Sequence, residues 1–363
     1  MIRYILPLIF FTFVSTGYSA DGDTSRTSFS IVPLPVIAYA PETDLILGVT
    51  ALGQFKLPGS GAETRSSNIR PFFNYTLKNQ FILQVDHTIF LPEERYKLTG
   101  EARFDHFPQS FWGIGYDTRE EDEILIDQRN LILEQNLYKK IGSELFTGPR
   151  IRFIRQYDVS FETLDGDPLV YPDLRGSDGH TGLGIGWGLL YDSRNSVLTP
   201  TEGIYLNINS ILQHRAAGST FSFRTIELDA RRYIELIDNQ SSVIAFQLNS
   251  AHSFGDVPFE EMPLLGGLWI MRGIYGGRYR DHNSIAVQTE VRQHLFWRIG
   301  MVAFMAAGNV GTSVSDTFTN PWRLAGGGGV RFNIGRDETT NIRLDFGISE
   351  EMSGLYVTFG EAF

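Results

Sequence analysis

The 363-residue sequence contains 0 cysteines, and beyond its first 20 residues it has no apolar run long enough to form a membrane-spanning helix. Without cysteine there is neither a disulfide framework nor a lipidated amino-terminal cysteine, so a lipoprotein anchor is excluded. A formal net charge of -11 argues against a nucleic-acid partner, because binding to phosphates requires basic stripes. The histidines are scattered without ligand spacing, so no metal site and no other cofactor is predicted.

Glycine and aromatic residues are abundant instead. There are 37 glycines, and aromatic residues make up 13% of the chain. Both values are high for a soluble globular protein. They suit a membrane β-barrel, whose apolar outer face is flanked by aromatic girdles.

The amino terminus has the pattern of a secretory signal peptide. A basic Arg3 precedes an apolar core at 4–14, and mostly small residues follow as far as Ala20. A membrane-anchoring helix is the alternative, but it requires about 20 apolar residues, and a proline and a glycine shorten this stretch. We therefore expect a signal peptide at 1–20, cleaved near Ala20, and a short periplasmic segment at 21–33.

From Leu34 onward, stretches of about ten alternating apolar and polar residues are separated by turn-rich stretches, as in a transmembrane barrel. The even number of stretches allows both ends of an up-and-down antiparallel β-barrel at 34–363 to lie in the periplasm. The sixteen predicted strands are 34–41, 44–57, 66–78, 80–90, 94–105, 123–140, 143–157, 180–192, 203–215, 219–235, 240–253, 284–296, 299–308, 321–335, 340–349 and 352–363.

Turn lengths support this architecture. Short connections at 139–143, 236–240, 297–300 and 336–340 are predicted to be periplasmic, and they alternate with longer connections predicted to be extracellular. The longer connections are 106–122, 158–179, 254–283 and 309–320. A soluble β-sandwich is the alternative, but it does not explain the signal peptide, the aromatic final residue and strands of this length together.

Alternation within single strands predicts which side chains face the lumen. In 284–296, apolar residues such as Val287 and Val291 alternate with polar ones, and the same holds for 340–349. The predicted lumenal residues are Glu290, Arg292, Arg343 and Asp345. In 180–192 every second residue is glycine, so either another part of the chain packs against this wall or the barrel curves sharply there.

Residues 265–283, with the sequence LGGLWIMRGIYGGRYRDHN, resemble the conserved loop of the bacterial surface antigen family. This is the barrel superfamily of BamA, TamA and the two-partner-secretion transporters. In that family an Arg-Gly-aromatic tripeptide folds back into the lumen, and the matching residues here are Arg272, Gly273, Ile274 and Tyr275. The resemblance therefore implies that the long loop at 254–283 enters the barrel.

Two further stretches are similar to the same family, and two features differ from it. The exit of the eighth strand, with Asp192, Arg194, Pro200 and Gly203, resembles the family's turn motif, and 327–332 with 342–347 resembles its last hairpin. Because only 21–33 separates the predicted signal peptide from the first strand, we expect a short member that lacks the family's periplasmic polypeptide-transport-associated domains. In many members an aspartate on the strand after the loop pairs with the loop arginine, but the stretch beginning at Phe304 has none.

A guanidinium inside a lumen requires acceptors, most naturally carboxylates. The nearest lumenal carboxylates in the predicted topology are Glu290 and Asp345, so we predict that Arg272 lies within hydrogen-bonding reach of one of them. A solvated extracellular arginine is the alternative.

The final strand alternates up to an aromatic end, which is typical of outer-membrane barrels. Tyr356, Phe359 and Phe363 are predicted to form the carboxyl-terminal signal for the barrel-assembly machinery, with Phe363 facing lipid at the periplasmic rim. The predicted location is therefore the outer membrane of a Gram-negative bacterium, in contact with its lipid and lipopolysaccharide.

The favoured function is assembly or translocation of outer-membrane protein or lipid, possibly with a separate periplasmic partner. A passive solute pore is the alternative, and an outer-membrane phospholipase is a distant third. No Gly-x-Ser-x-Gly elbow is present, so we expect no enzyme. The acidic run 117–127 could bind divalent cations, but the favoured interpretation is a solvated loop.

Overall fold

The computed structural model describes residues 30–61, 64–171, 173–237, 242–334 and 341–363. The predicted signal peptide and most of the segment 21–33 lie outside these residues. Sixteen long antiparallel strands follow one another round a closed barrel, which confirms the predicted fold class. They are β1 Ser30–Ala40, β2 Asp44–Phe55, β3 Ser67–Thr76, β4 Phe81–Phe90, β5 Tyr96–His106, β6 Ile124–Lys140, β7 Leu145–Glu162, β8 His180–Asp192, β9 Gly203–Gln213, β10 Phe223–Ile237, β11 Ser242–Gly255, β12 Asn283–Phe296, β13 Ile299–Gly311, β14 Arg323–Asn333, β15 Asn341–Ser349 and β16 Ser353–Phe359.

The strands form because alternating side chains give each of them an apolar outer face and a polar inner face. On β12, Val287 and Val291 are 40% and 41% exposed on the outside, whereas Gln288 and Glu290 are buried in the lumen. Closure of the barrel pairs backbone groups that lipid could not satisfy. Among the described residues, no helix is long and apolar enough to cross a membrane.

The barrel has two ends that differ in their connections. The start of β1 and the end of β16 lie at one end, which we call the terminal rim. Short turns such as 141–144 and 297–298 lie at this rim, and the long connections, including 163–179 and 256–282, lie at the opposite end, the loop rim. These connections follow the predicted alternation of short and long, whereas the short turns 41–43 and 350–352 at the loop rim and the longer connections 56–66 and 193–202 at the terminal rim depart from it.

Several strand boundaries differ from those predicted, and three of the differences have a clear backbone cause. β1 begins at Ser30, before the predicted start at Leu34, and it includes Pro33 and Pro35. β7 continues to Glu162 past an irregularity at Asp158, whose φ is 53°. β16 ends at Phe359, because the backbone turns at Gly360 with φ 77°.

The barrel closes at a seam between β1 and β16, and this seam is weakly paired. β1 pairs with β2 along its whole length, but it pairs with β16 only through Tyr39 and Val357. All other neighbouring pairs of long strands within the described chain have at least seven register partners, as β15 and β16 do. Proline is tolerated within β1 because a missing N–H costs no ladder bond on an unpaired edge.

Side chains from nearby strands cover the row of glycines on β8, which comprises Gly182, Gly184, Gly186 and Gly188. A Cβ atom placed on Gly188 would lie 2.6 Å from the hydroxyl of Tyr138, and one on Gly184 would lie 2.5 Å from a methyl group of Ile211. The structure therefore agrees with the first of the two predicted explanations, in which other parts of the chain pack against this wall.

Candidate functional site: a loop inside the barrel

The connection between β11 and β12, residues 256–282, folds into the lumen, and we call it the inner loop. Its two arms are joined by a short ladder between Leu264–Leu265 and Tyr279–Arg280. At its tip, Met271 and Gly273 have φ values of 62° and 106°. Both values lie in the left-handed region, which turns the chain back towards the loop rim.

Apolar packing against the barrel wall holds the inner loop. Leu265, Met271, Ile274 and Tyr279 are each at most 3% exposed. They pack on a part of the wall built from small residues, which leave space for the loop. These wall residues are Ala286 on β12, Ala306 and Val310 on β13, and Ala325 on β14.

The tip approaches the wall at a contact between two glycines. A Cβ atom on Gly273 would lie 2.6 Å from the backbone nitrogen of Ile348, and one on Gly347 would lie 2.6 Å from the carbonyl carbon of Arg272. The backbone N–H of Gly273 donates to the hydroxyl of Tyr356 at 2.9 Å, and its carbonyl accepts from the hydroxyl of Ser349 at 2.9 Å. Only glycine fits on both sides of this contact.

Arg272 lies in the lumen, 1% exposed, between two carboxylates. Its guanidinium donates through Nη2 to Glu290 and through Nη1 to Asp345, and both carboxylates are fully buried. The face of the guanidinium lies 3.7 Å from the ring centre of Phe304. The structure therefore brings together the loop arginine and both carboxylates named from the sequence, and the ring of Phe304 packs on the arginine from β13.

Further charges surround this centre. Arg292 donates to Glu290 at 2.8 Å, and Arg331 donates to Asp345 at 2.5 Å and to Glu361 at 2.7 Å. We call the whole set the lumenal charge cluster. It comprises the arginines Arg272, Arg292, Arg331 and Arg343 and the carboxylates Glu290, Asp345 and Glu361.

Arg343 differs from the other arginines of the cluster. It is fully buried, and none of its three guanidinium nitrogens has a hydrogen-bond partner within the described chain. Its nearest carboxylate is Asp345, at 3.9 Å, and its guanidinium lies 5.0 Å from the ring centre of Trp269 on the inner loop. Arg343 therefore contacts the loop by stacking rather than by hydrogen bonding.

The inner loop also contacts the strands on the far side of the lumen. Glu261 pairs with Arg152 of β7 at 2.6 Å and lies 3.6 Å from His180 of β8. Burial alone raises the pKa of Glu261, but the charge of Arg152, the hydrogen bonds that Arg152 donates and the nearby His180 ring outweigh it and lower the pKa to about 2. This carboxylate therefore remains ionised and binds the loop to the opposite wall.

One loop contact reaches the other side of the seam. The backbone N–H of Gly276 donates to Glu42, in the turn between β1 and β2, at 2.6 Å. Burial raises the pKa of Glu42, although this hydrogen bond and the charge of Lys78 act in the opposite direction. Since Gly273 is bonded to Tyr356 of β16, the inner loop joins both strands that border the seam.

The turn motif after β8 lies at the terminal rim. Arg194 donates to Asp192 at 2.8 Å and stacks 4.4 Å from the ring centre of Tyr205. Gly203 has a φ of 108°, which only glycine adopts readily. The carbonyl of Pro200 accepts from Arg292 at 3.0 Å, so this motif contacts the charge cluster.

The predicted position of Phe363 is wrong. After Gly360 the chain turns into the lumen, and Phe363 is only 4% exposed, packed with Tyr233 and Ala245 on β10 and β11. Phe359 is 38% exposed on the outside, whereas Tyr356 points inwards to the loop tip. The alternation of residues predicts a strand that continues through Gly360, but the backbone at Gly360 has φ 77° and ends the strand there.

Several residues of the site were missed from the sequence. Arg331 and Phe304 alternate inwards on β14 and β13, a signal that could have identified them, but neither was predicted to contact the loop or its partners. Glu42 and Trp269 carry no local signal, because their contacts depend on how the loop folds. Among the described residues, no group of three or more His, Cys, Asp or Glu side chains could hold a metal ion.

Comparison with known proteins agrees with this geometry. The family model of the Omp85 superfamily domain matches residues 139–363, which is more than half of the chain. No curated protein matches the chain. The chain therefore belongs to the Omp85 superfamily, a family of outer-membrane barrels.

Solved structures show the same fold at low sequence identity. BamA from Haemophilus ducreyi lacking POTRA domains 1–3 is 14% identical with a TM-score of 0.61, over 92% of this chain and 70% of that one. CdiB from Escherichia coli is 12% identical with a TM-score of 0.61, over 93% and 68%. CdiB from Acinetobacter baumannii is 10% identical with a TM-score of 0.55, over 92% and 66%. The resemblance to BamA-like barrels stated from the sequence is confirmed.

Proposed function

We propose that this barrel assembles or translocates outer-membrane proteins, and that it does so by opening laterally at the seam between β1 and β16. The observation that carries the proposal is the seam itself, where a single register pair joins two strands that are otherwise fully paired on their other sides. A strand edge with unpaired N–H and C=O groups is a template for another strand. We therefore infer that the substrate is an unfolded polypeptide with β-strand character.

The inner loop supports an opening that can be regulated. It is bonded to β16 through Tyr356 and to the β1–β2 turn through Glu42, so the docked loop holds the two sides of the seam together. Release of the tip would remove both contacts at once. A passive solute pore is less consistent with a loop that fills the lumen with buried side chains.

In this proposal the terminal rim faces the periplasm and the loop rim faces the exterior. A separate periplasmic partner, contact with lipopolysaccharide and the use of the barrel-assembly machinery during biogenesis also stay proposals. The expectation that the protein is not an enzyme stays a prediction.

Cross-linking of the seam tests the proposal. The chain has 0 cysteines, so the double variant Tyr39→Cys/Val357→Cys places the only two thiols on the register pair that joins β1 to β16. We expect the oxidised protein in liposomes to lose its ability to accelerate folding of a urea-unfolded outer-membrane barrel, and reduction to restore it.

The matched control is Ala38→Cys/Ile46→Cys, which joins a register pair inside the β1–β2 hairpin. Oxidation of the control should leave the activity unchanged. Equal activity of the oxidised and reduced seam variants would contradict lateral opening. Loss of activity in the control as well would show that oxidation itself is the cause.

A further inference from the structure

The terminal rim contains a second contact across the lumen. β8 and β16 lie opposite each other in a ring of sixteen strands, yet the segments that follow them meet. The backbone N–H of Glu361 donates to the carbonyl of Leu198 at 3.1 Å. The turn 193–202 therefore reaches the tail 360–363 across the width of the barrel.

Both segments are well anchored. The side chain of Asn195 bridges its own turn, donating to the hydroxyl of Thr201 at 2.7 Å and accepting from the backbone N–H of Thr201 at 3.1 Å. In the tail, Glu361, Ala362 and Phe363 are each at most 9% exposed. A turn that is ordered by its own side chains and a tail that is buried form a stable bridge rather than a transient contact.

One side chain joins this bridge to the inner loop. Arg292 donates through Nη1 to the carbonyl of Pro200 at 3.0 Å and through Nη2 to the main-chain oxygen of Phe363 at 2.9 Å. Its Nε donates at 2.8 Å to Glu290, the carboxylate that also accepts from Arg272. All the hydrogen-bonding nitrogens of this guanidinium are therefore used in connecting the turn, the tail and the loop.

We propose that the turn 193–202 and the tail 360–363 form a floor that closes the terminal rim, and that Arg292 couples this floor to docking of the inner loop. The lumen would then have two closures, and release of one would weaken the other through the shared arginine. The inference requires only that the lumen can open, and it holds whether or not the barrel assembles proteins.

The first test measures closure. The variant Leu198→Cys/Glu361→Cys, combined with Arg272→Met to release the loop, allows a disulfide to lock the floor. In planar bilayers we expect the reduced protein to conduct and the oxidised protein to return to the closed baseline. Since both states share the same substitutions, any effect of losing Glu361 cancels. Equal conductance before and after oxidation would show that the floor does not close the barrel.

The second test measures coupling and does not depend on conductance. Arg292→Met should increase hydrogen exchange both in the turn 193–202 and at the loop tip 269–276. The matched control is Arg150→Met, because Arg150 is also a buried lumenal arginine but donates to Glu134 of the neighbouring strand. Faster exchange in only one of the two segments would overturn the coupling. If Arg292→Met does not fold, Pro200→Gly/Leu198→Gly loosens the turn alone, and faster exchange at the tip is again the expected result.

Discussion

Replacement of Arg272 by methionine is the sharpest perturbation of the inner loop. The substitution keeps most of the side-chain volume but removes the charge that Glu290 and Asp345 share. Removal of one partner from a buried ion pair costs about 3–5 kcal/mol, and a desolvated cation–π contact such as that with Phe304 contributes about 2 kcal/mol.

The expected loss of docking free energy in Arg272→Met lies at the low end of the range for a broken buried ion pair, about 3 kcal/mol. Glu290 keeps Arg292 at 2.8 Å, and Asp345 keeps Arg331 at 2.5 Å, so neither carboxylate is left without a cation. A loss of about 3 kcal/mol shifts the docking equilibrium of the loop by roughly 100-fold, since each 1.4 kcal/mol is about tenfold. The contact of Glu261 with Arg152 lies outside the tip and remains, so the tip should loosen before the rest of the loop.

Hydrogen exchange of residues 269–276 in liposomes measures this loosening, and single-channel conductance measures its consequence. We expect faster exchange at the tip and a higher frequency of open events. Arg231→Met is the control, since it removes a lumenal arginine that does not touch the loop. Unchanged protection of the tip in Arg272→Met, with a barrel that remains closed, would refute the view that this charge pair holds the loop.

Three further predictions concern neighbouring contacts. Gly347→Ala should weaken docking of the tip as Arg272→Met does, because its Cβ would lie 2.6 Å from backbone atoms of the loop. The control is Gly326→Ala, whose Cβ would lie 3.3 Å from its nearest neighbour. Equal hydrogen exchange at the tip in both variants would contradict the role of the glycine contact. The pKa of Glu261 is lowered in the folded protein, so the contribution of this carboxylate to stability is complete above the ordinary pKa of 4.5 and is lost as the pH falls towards about 2. Glu261→Gln should remove this pH dependence from the hydrogen-exchange protection of the loop. An unchanged pH profile in the variant would contradict this role of Glu261. Phe363→Ala should lower the temperature at which the barrel loses its heat-modifiable migration, since truncation of a buried phenylalanine costs about 3–5 kcal/mol. Phe359→Ala at the outer face should lower this temperature less. A larger decrease for Phe359→Ala than for Phe363→Ala would argue for a lipid-facing signal.

The sequence predicted the barrel because each strand repeats the same signal. Alternation on β12 and β15 assigned Glu290 and Asp345 to the lumen, and the loop motif named Arg272 as their partner. The predicted start of β1 at Leu34 left out Ser30 to Pro33, because no sequence signal shows that one edge of this strand lacks a partner and can therefore accept a proline. The loop contacts of Glu42 and Trp269 depend on the path of the folded chain and have no period that could reveal them.

The last strand and the tail 360–363 show most clearly where the alternation of residues and the structure differ. Tyr356 alternates inwards as the pattern requires, but its role is to accept a hydrogen bond from the loop tip. Phe359 and Phe363 would share one face of an uninterrupted strand. Because Gly360 adopts a left-handed backbone conformation, Phe363 lies on the lumenal side of the barrel wall. The alternation of apolar and polar residues does not predict such a change of backbone direction.

The central claim is that the barrel opens between β1 and β16, and hydrogen exchange in liposomes tests it most directly. We predict that amides of β16 that face β1, and those on the free edge of β1, exchange much faster than amides at the centre of the β12–β13 pair, which has thirteen register partners. Substitution Glu42→Ala, which removes a loop contact next to the seam, should widen that difference. Equal protection of the seam and of β12–β13 would contradict the account.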